Sequence, residues 1–175
     1  FLDIADHTTD SELRSETRRR LDLLTPIAKG FVTETGFEAA NLALQCFGGH
    51  GYIREWGVEQ NVRDARIATL YEGTTGIQAV DLLGRKVLKS GGALLRDFYD
   101  EIQNFCDQNT PTERTQSLLT ALEGKLHEWG QMTNDVAGRT RNNPEEMGAV
   151  AYDYMMYSGY VCLAYIWAKT ALAAE

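Results

Sequence analysis

Two short segments place residues that could do chemistry where a helical chain would usually carry good helix formers. The first is a run of closely spaced glycines, Gly48, Gly49 and Gly51, which follows an apolar helical pattern. Glycine permits positive φ and the close approach of a ligand, and the backbone N–H groups beside it can bind an anionic pyrophosphate. The same glycines could simply end the preceding helix. The run alone leaves both interpretations open.

The second segment contains a carboxylate in an unusual position. Glu72 lies between the apolar run 67–71 and the turn-like sequence Gly73-Thr74-Thr75, which starts a further helix. An acid at such a place commonly caps a helix or pairs with its dipole. If the carboxylate is held close to a substrate and shielded from water, it can instead act as a general base.

Both segments belong to one continuous pattern, from Gln45 to Gln78. The blocks QxFGGxGY, VEQxxRDARI and YEGTxxIQ all occur in it, in this order. Their joint order and spacing closely resemble the C-terminal signature of flavin-dependent acyl-CoA dehydrogenases. Residues 10–44 resemble, more loosely, the helical hairpin that precedes it. The stretch YEGTTGIQAVDLLGRK is similar to long-form members of the family, which carry an extra helical domain after this point.

The resemblance implies α,β-dehydrogenation of an acyl-CoA thioester to the trans-2-enoyl-CoA, a step of fatty acid metabolism, with FAD as cofactor. Glu72 would be the catalytic base that removes the α-proton, while a hydride leaves the β-carbon for the flavin. The α-proton is far too weakly acidic for a free carboxylate. Hydrogen bonds to the thioester oxygen, one of them from the backbone N–H of Glu72, would make the α-proton more acidic. Desolvation would make the carboxylate more basic.

The same resemblance assigns further positions to substrate and cofactor. Tyr71 and Gly73 would border the thioester, and Thr74 and Thr75 would touch the FAD of their own subunit. The residues implied to line the adenosine and pyrophosphate part of an FAD bound mainly by a neighbouring subunit are Gln45, Phe47, Gly48 and Gly49. Sharing FAD in this way implies a homo-oligomer, a dimer or a tetramer. The charged residues expected to form ion pairs that hold their helix against the glycine turn are Arg63, Asp64 and Arg66.

Three functional interpretations remain open. The first is a dehydrogenase that passes electrons to an electron-transferring flavoprotein, and the second is an acyl-CoA oxidase that uses the same base and oxygen. The third is a helical assembly module without activity of its own. Because the family's flavin site also needs a middle β-domain and an N-terminal helical domain, residues 1–175 alone are expected to be colourless and inactive.

The long segments show helical periodicity, and none alternates at period two over strand length. The sequence therefore predicts an all-α fold, an up-and-down helical bundle followed by an additional helical hairpin. The double glycine Gly91-Gly92 predicts a boundary between a C-terminal dehydrogenase domain, 1–90, and an extra helical domain, 91–175, truncated at its end. Since the chain begins at Phe1 and stops within a helical pattern, it is expected to be a piece of a longer protein.

Helix boundaries are predicted from capping signals. Asp10 or Ser11 can cap a first long helix, and 25–26, Thr-Pro, marks a kink or a fresh start. Residues 110–113 combine a cap, a first-turn proline and an acid, and 142–146 repeat this signal. The two long helices that follow should pack antiparallel. The apolar residues predicted to face inward on the helix after Thr75 are Ile77, Val80, Leu83, Val87 and Leu88.

Composition excludes several classes of partner. The formal net charge is −8 and the pI is about 4.9, which would repel a phosphate backbone, so no nucleic-acid partner is expected. The most apolar stretch, 154–168, is shorter than the about 20 residues of a membrane span. Cys46, Cys106 and Cys162 lack metal-ligand spacing. They are predicted to be buried free thiols in a reducing compartment, which indicates a cytoplasmic protein.

Overall fold

The protein is built from helices. The computed structural model describes residues 1–110 and 112–174, and within these ranges it contains no strand, which confirms the predicted all-α fold. The α-helices are α1 (Leu2–His7), α2 (Ser11–Cys46), α3 (Gly49–Tyr52), α4 (Val58–Ala68), α5 (Thr75–Val80), α6 (Ala93–Gln108), α7 (Gln116–Asn142) and α8 (Glu145–Ala173). A 3₁₀ turn, Arg54–Trp56, precedes α4, and α5 continues as a π-helical stretch, Asp81–Leu88.

Helix α2 has 36 residues and contacts most of the other helices. Asp10 caps it, because its side chain accepts hydrogen bonds from the N–H groups of Glu12 and Leu13 at 2.8 and 3.2 Å. The predicted fresh start at residues 25–26 is wrong, since α2 continues through Pro26. Pro26 and Ile27 are both buried, and this packing offsets the backbone hydrogen bond that proline cannot donate.

Helices α7 and α8 form an antiparallel pair, as the short link between them predicted. The Tyr157 hydroxyl donates to the Lys125 carbonyl at 3.0 Å, and the hydroxyls of Thr133 and Tyr154 lie 2.8 Å apart. Residue numbers thus fall along one helix as they rise along the other. The Asn143 side chain accepts from the N–H at the start of α8, at 3.2 Å.

The start of α7 differs from the prediction. The helix begins at Gln116, later than the capping signal at 110–113 indicated. The buried side chain of Thr115 instead accepts a hydrogen bond from the Thr112 N–H at 3.0 Å, which closes a turn before the helix. Pro111, the expected first-turn residue, lies outside the described residues.

One hydrophobic core joins α2 to the last three helices. Its largest fully buried side chains include Trp129, Tyr154, Leu23, Leu82 and Ile102. Helix α8 packs against α2 and α5 as well as against α7. Arg20 of α2 and Glu101 of α6 form an ion pair at 2.8 Å. These contacts tie the segment after the double glycine to the helix that supports the candidate site.

The π-helical stretch changes which residues face the core. Leu83 and Val87 are buried as predicted, whereas Ile77, 61% exposed, and Val80 are not. A π-helix bonds residues five apart, so the stretch turns less per residue than an α-helix. The pattern Ile77, Val80, Leu83 therefore does not remain on one face, and Ala79 and Leu82 are buried instead.

The cysteines are free, but not all are buried. Cys106 is buried and Cys162 half-buried, whereas Cys46 is exposed, so the burial predicted for Cys46 is wrong. Cys46 ends α2, where few described elements cover that helix. Among residues 1–110 and 112–174, no helix combines the length and hydropathy that crossing a bilayer requires.

Candidate active site

Glu72 lies in the short loop that joins α4 to α5. Hydrogen bonds close this loop at both ends. The Thr69 N–H donates to the Arg66 carbonyl at 3.2 Å, and the Thr75 N–H donates to the Thr69 carbonyl at 3.3 Å. Thr74 caps α5 by accepting from the Ile77 N–H at 3.4 Å. The loop therefore has a defined shape, although it contains no regular secondary structure.

The backbone at Glu72 is in a conformation that side chains rarely adopt. Its φ is 54°, and no other non-glycine residue in the described parts of the chain has a positive φ. Such a conformation costs on the order of 1–3 kcal/mol, and residues of this kind cluster at functional sites. Gly73 follows with a φ of 95°, which glycine adopts without strain. The backbone strain is thus located at the residue that carries the candidate catalytic carboxylate.

Two side chains of α2 hold the loop in place. The Thr75 hydroxyl donates to the Glu34 carboxylate at 2.6 Å. The Lys29 ammonium donates to the Ala68 carbonyl, and it also lies 5.2 Å from the centroid of the Tyr71 ring, a cation–π contact. Sequence reasoning missed Lys29 and Glu34. The available signal was a pair of charged residues on either side of the buried Phe31.

The Glu72 side chain is exposed, and neither a hydrogen bond nor an ion pair joins it to another described residue. The N–H group of Glu72 likewise has no acceptor within the described ranges. Its neighbours along the chain include the large exposed apolar residues Ile67, Leu70, Tyr71 and Ile77. The loop thus combines an unpaired carboxylate, an unpaired backbone N–H group and neighbouring apolar side chains. The desolvation expected for a catalytic base is not provided by these residues alone.

The glycine run follows the C-terminal end of α2. Gly48 has a φ of 57°, and an added Cβ at Gly51 would lie 2.5 Å from the Leu44 carbonyl oxygen. The predicted positive φ therefore occurs at Gly48, whereas Gly51 packs against the end of α2. The predicted close approach of a ligand stays a prediction. Gly49 has open space around it. Gln45 and Phe47 are exposed at the same end of α2.

The structure does not bring the two predicted groups into contact. Glu34, which bonds the Glu72 loop, and Gln45 are eleven residues apart on α2, a rise of about 16 Å. No hydrogen bond or ring contact among the described residues joins the glycine run to residues 71–75. The chain therefore presents two separate surfaces along one helix.

The ion pairs expected for Arg63, Asp64 and Arg66 are not present among the described residues. The Arg66 guanidinium instead lies 5.3 Å from the centroid of the Phe37 ring and donates to the Thr69 hydroxyl at 3.1 Å. Asp64 accepts from the Gln60 amide within α4 at 2.7 Å. Helix α4 is thus joined to α2 by a cation–π contact, and the hydrogen bond from Arg66 to Thr69 stabilises the start of the Glu72 loop.

Replacing Gly73 by alanine should destabilise the loop. Alanine at this φ costs on the order of 1 kcal/mol, and its Cβ would displace the Gln78 amide, 2.4 Å away. Chemical denaturation of residues 1–175 should therefore show a loss of about 1–2 kcal/mol. Gly76→Ala is the matched control, because this helical glycine has open space around it and should gain stability. Equal changes in the two variants would contradict the assignment of strain to this turn.

Known proteins show where the chain belongs. Residues 10–88 match the family model described as acyl-CoA dehydrogenase, C-terminal domain, and residues 98–175 match one described as acetyl-CoA dehydrogenase C-terminal like. Over its whole length the chain is 35% identical to 3-methylmercaptopropionyl-CoA dehydrogenase of Ruegeria pomeroyi, of which the match covers 30%.

Two further relatives match smaller parts of the chain. A broad-specificity linear acyl-CoA dehydrogenase, FadE5 of Mycobacterium tuberculosis, is 35% identical over 69% of the chain and 19% of its own length. A butyryl-CoA dehydrogenase of Syntrophomonas wolfei is 34% identical over 60% of the chain and 17% of its own length. The chain spans less than a third of each of these relatives. On these matches and the all-α fold, the chain belongs to the acyl-CoA dehydrogenase family, as the C-terminal helical region of a long-form member with an extra helical domain.

Proposed function

We propose that the complete protein is an FAD-dependent dehydrogenase that converts acyl-CoA thioesters to trans-2-enoyl-CoA, with Glu72 as the catalytic base. The observation that carries this proposal is an unpaired carboxylate on strained backbone, in a loop that α2 holds in place. A carboxylate without a protein partner is free to accept a proton from substrate. The strained backbone conformation, which the loop contacts maintain, sets the position of this carboxylate.

The residues beside Glu72 would orient the thioester. The free N–H of Glu72 would donate to the thioester oxygen and stabilise the negative charge that develops there as the α-proton leaves. Gly73 has no side chain to obstruct the approach of substrate, and the exposed ring of Tyr71 would cover its apolar part. Binding of substrate among these apolar side chains would exclude water from the carboxylate and raise its basicity.

The residues of the glycine run fit the pyrophosphate of FAD. An anion can approach the backbone closely at Gly48 and Gly49, since an added Cβ at either would meet nothing within 4 Å. Exposed Gln45 and Phe47 would border the adenosine. When bound, FAD would accept the hydride from the substrate β-carbon.

The two threonines would contact FAD differently. Thr74, the N-cap of α5, is exposed to solvent and could contact the cofactor. The hydroxyl of Thr75 donates its proton to Glu34, so towards FAD it could accept a hydrogen bond but not donate one.

We propose that the cofactor is shared between subunits. Thr74 and Thr75 would contact one FAD molecule and the glycine run another, in a homo-oligomer, either a dimer or a tetramer. The two groups do not contact each other among the described residues. We further propose an electron-transferring flavoprotein as the electron acceptor and a cytoplasmic location, to which the three free thiols are suited.

Anaerobic titration of the full-length protein with a panel of acyl-CoA thioesters tests this function. The panel should include straight-chain and sulfur-containing acyl groups, which the names of the relatives specify. At least one saturated acyl-CoA is expected to bleach the flavin absorbance and to yield the enoyl-CoA. In air, hydrogen peroxide equal to turnover would make the enzyme an oxidase. A protein that binds no flavin, or that bleaches without forming enoyl-CoA, would overturn the proposal.

A further inference from the structure

A second candidate ligand-binding surface lies between α6 and α7. It is a cleft of about 700 Å³ that shares no residue with the Glu72 loop or the glycine run. This volume is in the range of small-molecule sites in proteins. Neither the family matches nor the proposed dehydrogenation assigns a role to it.

The floor of the cleft is apolar and contains an aromatic ring. Val87, Leu88 and Leu95 line it, together with Tyr99. The Tyr99 ring packs against the backbone of α7 at Gly130, where an added Cβ would lie 3.3 Å from the ring. A flat organic group could therefore lie over the floor against this ring.

Two arginines line the cleft. Contacts of Tyr99 with Gly130 and of Phe98 with Trp129 join the middle of α6 to the middle of α7. Arg96 and Arg141 both line the cleft, and no ion pair or hydrogen bond joins either guanidinium to another described residue. Both are therefore free to bind an anion.

Two further features of the cleft could bind an anion, the first turn of α6 and the hydroxyl group of Thr140. Gly92 is the N-cap of α6 and has no side chain to cap the N–H groups of the first turn, which attract an anion. The hydroxyl oxygen of Thr140, also in the lining, is buried without a hydrogen-bond partner among the described residues. Each of these groups can donate a hydrogen bond to a phosphate oxygen.

The cleft also contains a hydrogen-bond acceptor. Asp100 lies one turn after Arg96 on α6 and lines the cleft, yet the two side chains are not paired. His127 of α7 lines the same region. An unpaired carboxylate in the same cleft as the arginines suits a ligand that carries both an anion and hydrogen-bond donors.

We propose that the cleft binds an organic phosphate of the nucleoside monophosphate type. The phosphate contacts Arg96, Arg141 and the first turn of α6, the base lies over Tyr99, and donors of the nucleoside face Asp100. The proposal does not depend on the assignment of Glu72.

Isothermal titration of residues 1–175 with AMP tests the cleft. AMP is expected to bind one-to-one, and adenosine, which lacks the phosphate, at least about tenfold more weakly. Arg96→Gln and Arg141→Gln should each weaken AMP binding by about tenfold or more. Both side chains lack partners, so the variants should keep the parent's circular dichroism and melting temperature.

Arg139→Gln is the matched control. Arg139 is on α7, two residues before Arg141, but it pairs with Asp135 at 3.0 Å and does not line the cleft. Its replacement should leave AMP affinity unchanged. The proposal fails if AMP gives no saturable heat up to about 5 mM. It also fails if affinity survives both cleft substitutions, since AMP would then be bound elsewhere, for instance at the glycine run.

Discussion

Replacing Glu72 by glutamine in the full-length enzyme is expected to lower kcat by at least about a thousandfold, or about 4 kcal/mol of transition-state stabilisation. The amide has nearly the same shape as the carboxylate but cannot accept the α-proton. The carboxylate is exposed and unpaired in this chain, so its loss removes no structural contact. FAD content and the melting temperature should therefore equal those of the parent.

The backbone of Glu72 provides an internal check on this variant. Glutamine retains the N–H group that would bind the thioester oxygen, so affinity for the enoyl-CoA product should change by less than about tenfold. Flavin bleaching by substrate, followed by stopped-flow absorbance, measures the chemical step itself. Glu38→Gln, an exposed carboxylate on α2, is the control and should react at the parental rate. A rate for Glu72→Gln within about tenfold of the parent would exclude this residue as the base.

Much of this fold is predictable because its signals are local. Hydrophobic periodicity predicts α6 and α7, and the signal at 142–146 predicts α8. The capping residues Asp10 and Asn143 act on N–H groups two or three residues away. The glycine run was predicted to supply positive φ, and Gly48 does so. Such features depend on residues that are close in sequence, so a single sequence suffices to identify them.

The features that sequence reasoning missed depend on residues far apart in the chain. Lys29 and Glu34 hold the Glu72 loop, yet their partners lie about forty positions later. The continuity of α2 through Pro26 depends on tertiary packing that outweighs a local helix breaker. The exposure of Ile77 follows from the π-helical stretch, which a search for period 3.6 does not detect. The site is therefore recognisable from its motif, but its support is not.

The support of the site depends on how closely α8 approaches α2. Gly159 of α8 is buried, and an added Cβ there would lie 2.2 Å from Cγ of Phe31. Phe31 is 7% exposed, and its ring also packs edge-to-face on Tyr160, with centroids 4.9 Å apart. Because Phe31 stands between Lys29 and Glu34 on α2, any shift of its helix moves the two side chains that hold the Glu72 loop.

Gly159→Ala is therefore expected to destabilise residues 1–175 by about 2–3 kcal/mol in chemical denaturation, since the methyl group cannot fit beside the ring without displacing a helix. Gly148→Ala on the same helix is the control. That glycine has open space around it, and alanine should stabilise the helix there by up to about 1 kcal/mol. A loss for Gly159→Ala no larger than that of the control would show that the helices do not meet at this point.

A double substitution separates steric conflict from a general effect on α8. Phe31→Leu shortens the side chain that the new methyl group would meet, so Gly159→Ala should cost at least about 1 kcal/mol less in that background. In the full-length enzyme, Gly159→Ala should also slow flavin bleaching while Glu72 itself is unchanged. The slower reaction would arise because Lys29 and Glu34 no longer hold Ala68 and Thr75 in place. The Glu72 loop would then be mispositioned relative to the substrate. Additive stability changes in the double variant would contradict direct contact between Gly159 and Phe31.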